Sequence, residues 1–215
     1  MEYLDYTLHI VLVGDSKVGK TSFLNFLNKK SSKKSSKNPT ETIGVDVTSL
    51  YYNIHDKNIK LSICDTTGQE RFLSIVTAYF RKICSIILLF DISEPQTFSN
   101  LEKWLELVEY EKICAHTHPI LLIGNKTDLP NKTDYNKLNQ FINKYDLIYR
   151  EISCKQDYDL EETMGLFISR ILNTLNHDAC IGLIKHDANR SSISLKSSNR
   201  NNISTKKNGS ICTIS

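Results

Sequence analysis

Short apolar runs alternate with stretches of helical spacing over most of the 215-residue chain. Six of these runs have the length and composition of β-strands, and strands that alternate with helices are typical of a mostly parallel α/β sheet. A polar turn at 55–58 separates the second run from the third and predicts a hairpin, so one edge strand should be antiparallel. The predicted strands are 8–13, 45–54, 59–64, 84–90, 119–123 and 147–152.

Two helices are predicted from apolar residues that recur every three or four positions. The first begins behind Pro95, continues through Phe98 to Val108 and contains Trp104, which we interpret as a packing residue. The second covers about 160–175, with Asp159 and Glu162 placed as a capping box. The predicted fold is a six-stranded sheet with helices on both faces.

The chain changes character after about Asn176. Residues 177–215 are rich in Ser, Asn and Lys, and their few isoleucines follow no periodicity. Such a segment has too little apolar surface to offset its ordering entropy. We expect a disordered, flexible tail behind a single domain of residues 5–176.

Composition changes this picture little. The net charge of +3 is too small to indicate nucleic-acid binding by itself. The six cysteines form no Cys-x-x-Cys pair, which favours a reducing compartment over a zinc site or a disulfide framework. No apolar run approaches the roughly 20 residues of a membrane span, and the start lacks a signal-peptide pattern. The protein is expected to be intracellular.

A phosphate-binding motif follows the first strand. Residues 14–21 read GDSKVGKT and match G-x-x-x-x-G-K-[ST] at the start of a helical stretch. The glycines let backbone N–H groups face a polyphosphate, Lys20 adds a charge, and the Thr21 hydroxyl can bind Mg²⁺. The predicted phosphate-binding residues are Gly14, Asp15, Ser16, Lys17, Val18, Gly19, Lys20, Thr21 and Ser22.

A second motif, Asn125-Lys126-Thr127-Asp128, follows the fifth strand, at the sheet edge where open α/β folds bind ligands. The Asp128 carboxylate can accept two N–H bonds from guanine, whereas adenine would present it with an acceptor. Such a mismatch rejects the wrong base by about 10⁴-fold. Alone the motif would be read as a polar turn, but together with the phosphate loop it favours a guanine site at Asn125, Lys126 and Asp128.

Residues 65–72 read DTTGQERF, and here the chain resembles a known family. With LHIVLVGDSKVGKT, TIGVD, LLFDIS, NKTDL and EISCK in the same order, residues 5–176 are similar to small GTPases of the Ras superfamily, most of all to the Rab branch. The resemblance implies the P-loop small GTPase fold. It also implies a switch that binds GTP or GDP with Mg²⁺, hydrolyses GTP slowly and regulates vesicle or membrane trafficking.

The resemblance also implies residue roles. Thr21 and Thr42 would ligate Mg²⁺, with Asp65 near it through water. The Gly68 amide would sense the γ-phosphate, and Gln69 would orient the attacking water, the one catalytic role. Phosphoryl transfer needs such positioning more than a strong base. The guanine carbonyl would be contacted by Ser153, Cys154 and Lys155.

A basic run, NKKSSKKSSKNPTETIG at 28–44, lies where the family has switch I, which closes over the γ-phosphate. A nuclear or RNA-binding patch is the alternative, disfavoured because serines interrupt the lysines and aromatics are missing. The missing aromatic departs from the family, as does Lys17 in the phosphate loop. So does an effector face built from Val47, Cys64 and Tyr79, which leaves effector choice open.

The chain ends Cys212-Thr-Ile-Ser215, a C-a-a-X pattern whose serine is typical of farnesylation. A chance terminal cysteine is the alternative reading. Basic residues from Lys196 to Lys207 would supply the second membrane signal that a single prenyl chain needs. We therefore expect a lipid anchor at Cys212 on the cytoplasmic face of a membrane, with a soluble cytosolic pool.

These features predict a monomeric switch with protein partners and no nucleic acid. The expected partners are an exchange factor, a GTPase-activating protein, effectors at switch I and switch II, and a prenyltransferase. The main alternative is a scaffold that binds guanine nucleotide but no longer cycles because its switches are altered. A metabolic kinase is a weaker alternative, since no segment resembles a domain for an acceptor substrate.

Overall fold

The computed structural model describes residues 4–30, 46–65, 83–110, 118–156 and 160–177. Within these ranges six strands form one sheet: β1 Tyr6–Val13, β2 Asp46–Ile54, β3 Lys57–Asp65, β4 Ser85–Asp91, β5 Ile120–Asn125 and β6 Ile148–Glu151. Their order across the sheet is β2-β3-β1-β4-β5-β6. All neighbouring pairs are parallel except β2 and β3. The predicted mixed sheet with one antiparallel edge strand is confirmed.

The edge hairpin turns more tightly than the sequence suggested. Strand β3 already begins at Lys57, so the predicted turn at 55–58 is two residues too long. His55 and Asp56 alone make the turn, and both have left-handed φ angles, 50° and 59°. Two left-handed residues match the right-handed twist of paired strands, which makes this geometry favourable in two-residue hairpins.

Five helices lie within the described ranges: α1 Lys20–Lys30, α2 Pro95–Ser99, α3 Leu101–Tyr110, α4 Tyr135–Tyr145 and α5 Glu161–His177. Phe23 of α1 and Phe167 of α5 share one apolar cluster with the sheet, on the face that Ile10 occupies. Trp104 of α3 and Phe141 of α4 belong to a second cluster on the face of Val11. Helices therefore cover both faces, as predicted.

The described helices differ from the sequence-based expectation at three points. The helix expected through Phe98 to Val108 is divided at Asn100, a weak helix former whose side chain bonds to Gln96 and to a distant loop. Helix α4 was not predicted, although Asp134 accepts N–H bonds from its first turn as an N-cap. Helix α5 ends at His177, one residue inside the predicted tail. Asp159 and residues 178–215 lie outside the described residues.

The sheet gathers several loops at one edge. The parallel strands β1, β4, β5 and β6 run in the same direction, so the segments after Val13, Asp91, Asn125 and Glu151 emerge side by side. Asp65 ends β3 at the same edge. Among the described helices, none has the length and hydrophobicity that crossing a bilayer requires.

Candidate nucleotide-binding site

The loop between β1 and α1 bends sharply at two glycines. Gly14 has a φ of 143°, and a Cβ atom there would lie 2.2 Å from the carbonyl oxygen of Leu89 on β4. Gly19 has a φ of 103°, and a Cβ atom there would lie 2.3 Å from the Asn125 amide nitrogen. Both positions therefore exclude any side chain, because neither the backbone angle nor the space admits a Cβ.

Lys17 lies between these glycines with a left-handed φ of 68°. A left-handed conformation costs a non-glycine residue about 1–2 kcal/mol, so Lys17 is strained where glycine would not be. The side chains of Lys17 and Ser16 are both exposed. The loop therefore keeps its curled path despite the lysine, and it presents an additional cation at its surface.

The Lys20 ammonium lies across the mouth of the loop. Its Nζ donates to the carbonyl oxygens of Gly14 at 2.8 Å and Asp15 at 2.7 Å. The residue is only 5% exposed. Burial lowers the pKa of Lys20, while the Asp65 and Asp15 carboxylates oppose that shift. A phosphate at the mouth would replace the carbonyls as the stronger, anionic partner of this ammonium.

Thr21 and Asp65 meet beside this lysine. The Thr21 hydroxyl donates to Asp65 Oδ2 at 2.7 Å, which joins the first turn of α1 to the end of β3. A hydroxyl and a carboxylate are oxygen ligands of the kind that Mg²⁺ prefers. In the described part of the chain no three His, Cys, Asp or Glu residues could together hold a metal. A pair of oxygen ligands suits Mg²⁺, an ion that usually takes its other ligands from phosphate and water.

Asn125 connects the phosphate loop to the loop after β6. Its Nδ2 donates to the Val18 carbonyl at 2.8 Å, and its Oδ1 accepts from the Cys154 backbone N–H at 3.3 Å. The residue is 2% exposed, so these bonds are shielded from water. Burial raises the pKa of the Cys154 thiol to about 11, which keeps it neutral and unreactive.

The Asp128 carboxylate is oriented by the loop after β6. Ser153 donates to its Oδ1 at 2.7 Å, and Lys155 Nζ lies 2.9 Å from its Oδ2. These two hydrogen bonds lower the pKa of Asp128, so it stays anionic at neutral pH. A carboxylate has about four acceptor sites, which leaves room for two more N–H donors. The predicted base-binding residues after β5 and β6 are therefore brought together.

Asp91 at the end of β4 belongs to this site but was not predicted. Its Oδ2 pairs with Lys126 Nζ at 2.5 Å, and its Oδ1 accepts from the backbone N–H and hydroxyl of Ser93. Burial raises the pKa of Asp91, but the bonds from Lys126 and Ser93 outweigh it and the net shift is downward. Lys126 has a φ of 73°, so this ion pair helps to hold a left-handed residue in the base loop.

The Asp15 carboxylate is bound by two side chains from outside the loop. Its carboxylate accepts from Asn100 Nδ2 and from Trp104 Nε1, both at 2.7 Å. From the sequence, Asp15 was predicted to bind phosphate and Trp104 was interpreted as a packing residue. Trp104 does pack in the core, but it is also a hydrogen-bond donor to the loop. Asn100 and Trp104 lie 85 and 89 residues after Asp15 in the chain, and no local sequence signal predicts a contact over such a separation.

Some predicted residues cannot be placed. Thr42, Gly68, Gln69 and Cys212 lie outside the described residues, as do Tyr79 and most of the basic run at 28–44. Their roles stay predictions. Val47 and Cys64, the two effector-face positions within the described ranges, are paired across β2 and β3, and Cys64 is fully buried.

Comparison with known proteins agrees with this geometry. The Ras family model matches residues 9–173. Ras-related protein Rab11D of Nicotiana tabacum is 34% identical over 175 residues, covering 80% of this chain and 77% of that protein. Ras-related protein RABA1c of Arabidopsis thaliana is 33% identical over 180 residues, 81% of this chain and 80% of its own. Ras-related protein Rab-1A of Dictyostelium discoideum is 34% identical over 173 residues, 79% of this chain and 83% of its own.

Proposed function

The chain belongs to the Ras family, as a Rab-like small GTPase that binds and hydrolyses GTP in membrane trafficking, and we propose that residues 5–176 form its nucleotide-dependent switch domain. The observation that supports this assignment most strongly is the Asn125 junction. One buried amide joins the loop proposed to hold phosphate to the loop proposed to hold the base. A single ligand with both groups would bridge the same two loops.

Residues 14–22 hold the phosphates in this proposal. The backbone N–H groups between Gly14 and Gly19 face the polyphosphate, and Lys20 exchanges its two carbonyl partners for phosphate oxygens. Thr21, Thr42 and Asp65 hold Mg²⁺, which would neutralise charge on the transferred phosphoryl group when bound. The hydrogen bond between Thr21 and Asp65 supports the roles of these two residues as ligands.

Asp128 and the loop after β6 select the base in this proposal. The carboxylate accepts two guanine N–H bonds, Ser153 and Lys155 keep it oriented, and the Cys154 backbone contacts the guanine carbonyl. Asn125 holds the phosphate loop and the loop after β6 together, and Lys126 anchors the base loop to Asp91. Adenine would place an acceptor against the carboxylate, so ATP should be rejected.

Hydrolysis is assigned to Gln69, which orients the attacking water beside the γ-phosphate sensed by Gly68. No described residue needs to act as a strong base, because positioning and charge stabilisation supply most of the catalysis in phosphoryl transfer. Loss of the γ-phosphate would release Thr42 and with it the part of the basic run beyond the end of α1 at Lys30, which acts as switch I.

The switch is proposed to act at a membrane. Farnesylation at Cys212 and the basic residues before it would hold the protein on the cytoplasmic face, with a soluble cytosolic pool. Its partners are an exchange factor, a GTPase-activating protein, effectors that bind switch I and switch II, and a prenyltransferase. The domain acts as a monomer and binds no nucleic acid.

Guanine selectivity tests the site directly. GDP or GTP with Mg²⁺, at about 100 times the dissociation constant, should stabilise the protein by about 2.7 kcal/mol, and ATP should not. That difference raises the melting temperature by about 5–10 °C in a domain of this size. Asp128→Asn should shift the preference toward xanthine nucleotides, because the new amide N–H₂ can donate to the xanthine 2-carbonyl.

Asp56→Asn provides the matched control for this experiment. Asp56 is exposed in the turn between β2 and β3, far along the chain from the base loop, and asparagine tolerates the left-handed φ of 59° there. The control should keep the parental preference for guanine. Equal stabilisation of the parent by ATP and GTP would contradict the proposed base site.

A further inference from the structure

Asp15 connects the phosphate loop to α3 through its side chain and to Lys20 through its backbone. Asn100 and Trp104 occupy one carboxylate oxygen each, and the Asp15 carbonyl accepts from Lys20 Nζ. Charge-assisted hydrogen bonds of 2.7 Å to two separate donors restrict the rotation of a side chain and of the backbone that carries it. The first half of the loop is thereby tied to a helix packed on the sheet.

The two donors, Asn100 at the break before α3 and Trp104 on α3, are themselves fixed. Gln96 Nε2 donates to Asn100 Oδ1, which turns the Asn100 nitrogen toward Asp15. Trp104 is 7% exposed and packs in the apolar cluster on its face of the sheet, so its indole ring has little freedom. Asn125 holds the other half of the loop through the Val18 carbonyl. The loop is therefore restrained at two points, from two different elements.

We propose that Asp15 is a positioning residue whose carboxylate, held by Asn100 and Trp104, keeps the loop backbone aimed at the phosphates and so slows nucleotide release. This inference rests on the proposed function, because it concerns the same phosphate loop. It assigns the Asp15 side chain no contact with nucleotide. The Asn100–Trp104 pair then acts on the nucleotide only through Asp15.

Three variants test the proposal in the full-length protein loaded with a fluorescent GDP analogue. Asp15→Ala should release GDP about tenfold faster, a change equal to about 1.4 kcal/mol. Asp15→Asn should lie closer to the parent, because its amide can keep both partners if the amides of Asn100 and Gln96 turn over together. Asp134→Ala removes the N-cap of α4, so it should lower the melting temperature without changing GDP release.

The indole N–H resonance gives a second readout. The chain has a single tryptophan, so ¹⁵N-labelled protein shows one such signal. Asp15→Ala should move it upfield because the indole loses its carboxylate acceptor, and Asp134→Ala should leave it in place. The proposal is overturned if Asp15→Ala releases GDP at the parental rate, or if Asp134→Ala accelerates release equally.

Failure of the proposed function would look different. A parent that gains no thermal stability from GDP contradicts the guanine site, whatever Asp15 does. In that case the positioning role of Asp15 can still be tested by the backbone amide resonances of the phosphate loop in nucleotide-free protein. Asp15→Ala should shift the resonances of residues 16–19. Unchanged loop amides with a shifted indole signal would show that Asp15 serves Trp104 alone, and the positioning role would be wrong.

Discussion

Replacing Gly19 with alanine should disrupt the junction between the phosphate loop and the base loop. The new Cβ would lie 2.3 Å from Asn125 Nδ2, the atom that donates to the Val18 carbonyl. Asn125 is 2% exposed and cannot move aside without breaking that bond. The φ of 103° at this position is also one that alanine rarely adopts. Both effects act on the folded protein before any nucleotide binds.

The size of the effect follows from these two contributions. A non-glycine residue held in such a sparsely populated conformation costs about 1–3 kcal/mol. Losing the buried Asn125 bond and leaving the Val18 carbonyl unsatisfied costs about 1–3 kcal/mol more. A total near 4 kcal/mol is a large part of the 5–15 kcal/mol that stabilises a typical domain. It corresponds to a fall of about 8–16 °C in melting temperature.

Gly165 provides the matched control within the same chain. It lies in α5, and a Cβ there would have Ile54 Cδ1 as its nearest neighbour at 3.8 Å, an ordinary contact. Gly165→Ala should therefore stabilise the protein by about 0.5–1 kcal/mol, because alanine is the better helix former. Thermal unfolding without added nucleotide, followed by circular dichroism, measures both variants. If Gly19→Ala melts within a degree of the parent, the close approach of Gly19 to Asn125 is not what organises the site.

Three further predictions concern single residues. Asp91→Asn should remove a pH-dependent part of the free energy of unfolding. Because the folded pKa of Asp91 is lowered from 3.8, its contribution is present above pH 4 and is lost as the pH falls further. The free energy of unfolding, measured as the pH is lowered, should therefore fall less steeply in the variant. Gln69→Leu should slow single-turnover GTP hydrolysis by on the order of tenfold to a hundredfold while GTP binding is kept, and a parental rate would refute the water-positioning role. Cys212→Ser should move the protein from membranes to the soluble fraction of a eukaryotic cell. Membrane-recovered parent with an unmodified C-terminus by mass spectrometry would contradict the lipid anchor.

The parts of the site that sequence alone determined are local ones. The phosphate motif at 14–21 and the guanine motif at 125–128 each need only neighbouring residues on one loop, so their spacing is visible in the chain. The order of strands and helices is visible for the same reason, since alternation and helical spacing are properties of short segments. The break at Asn100 escaped because side-chain bonds, not apolar spacing, set that boundary. Helix α4 was missed although its signal is local: Leu138, Phe141 and Ile142 recur at helical spacing after the N-cap Asp134.

Only the tertiary structure decided which side chains meet across the sheet edge. Asn125 and Val18 are 107 residues apart, and Trp104 and Asp15 are 89 apart, yet each pair is joined by one hydrogen bond. Parallel strands bring these loops together because all of them end at the same edge, and the packing of α3 then turns Asp15 toward Trp104. Sequence determined which residues could bind phosphate and guanine, whereas packing between distant segments determined which of them hold the others in place.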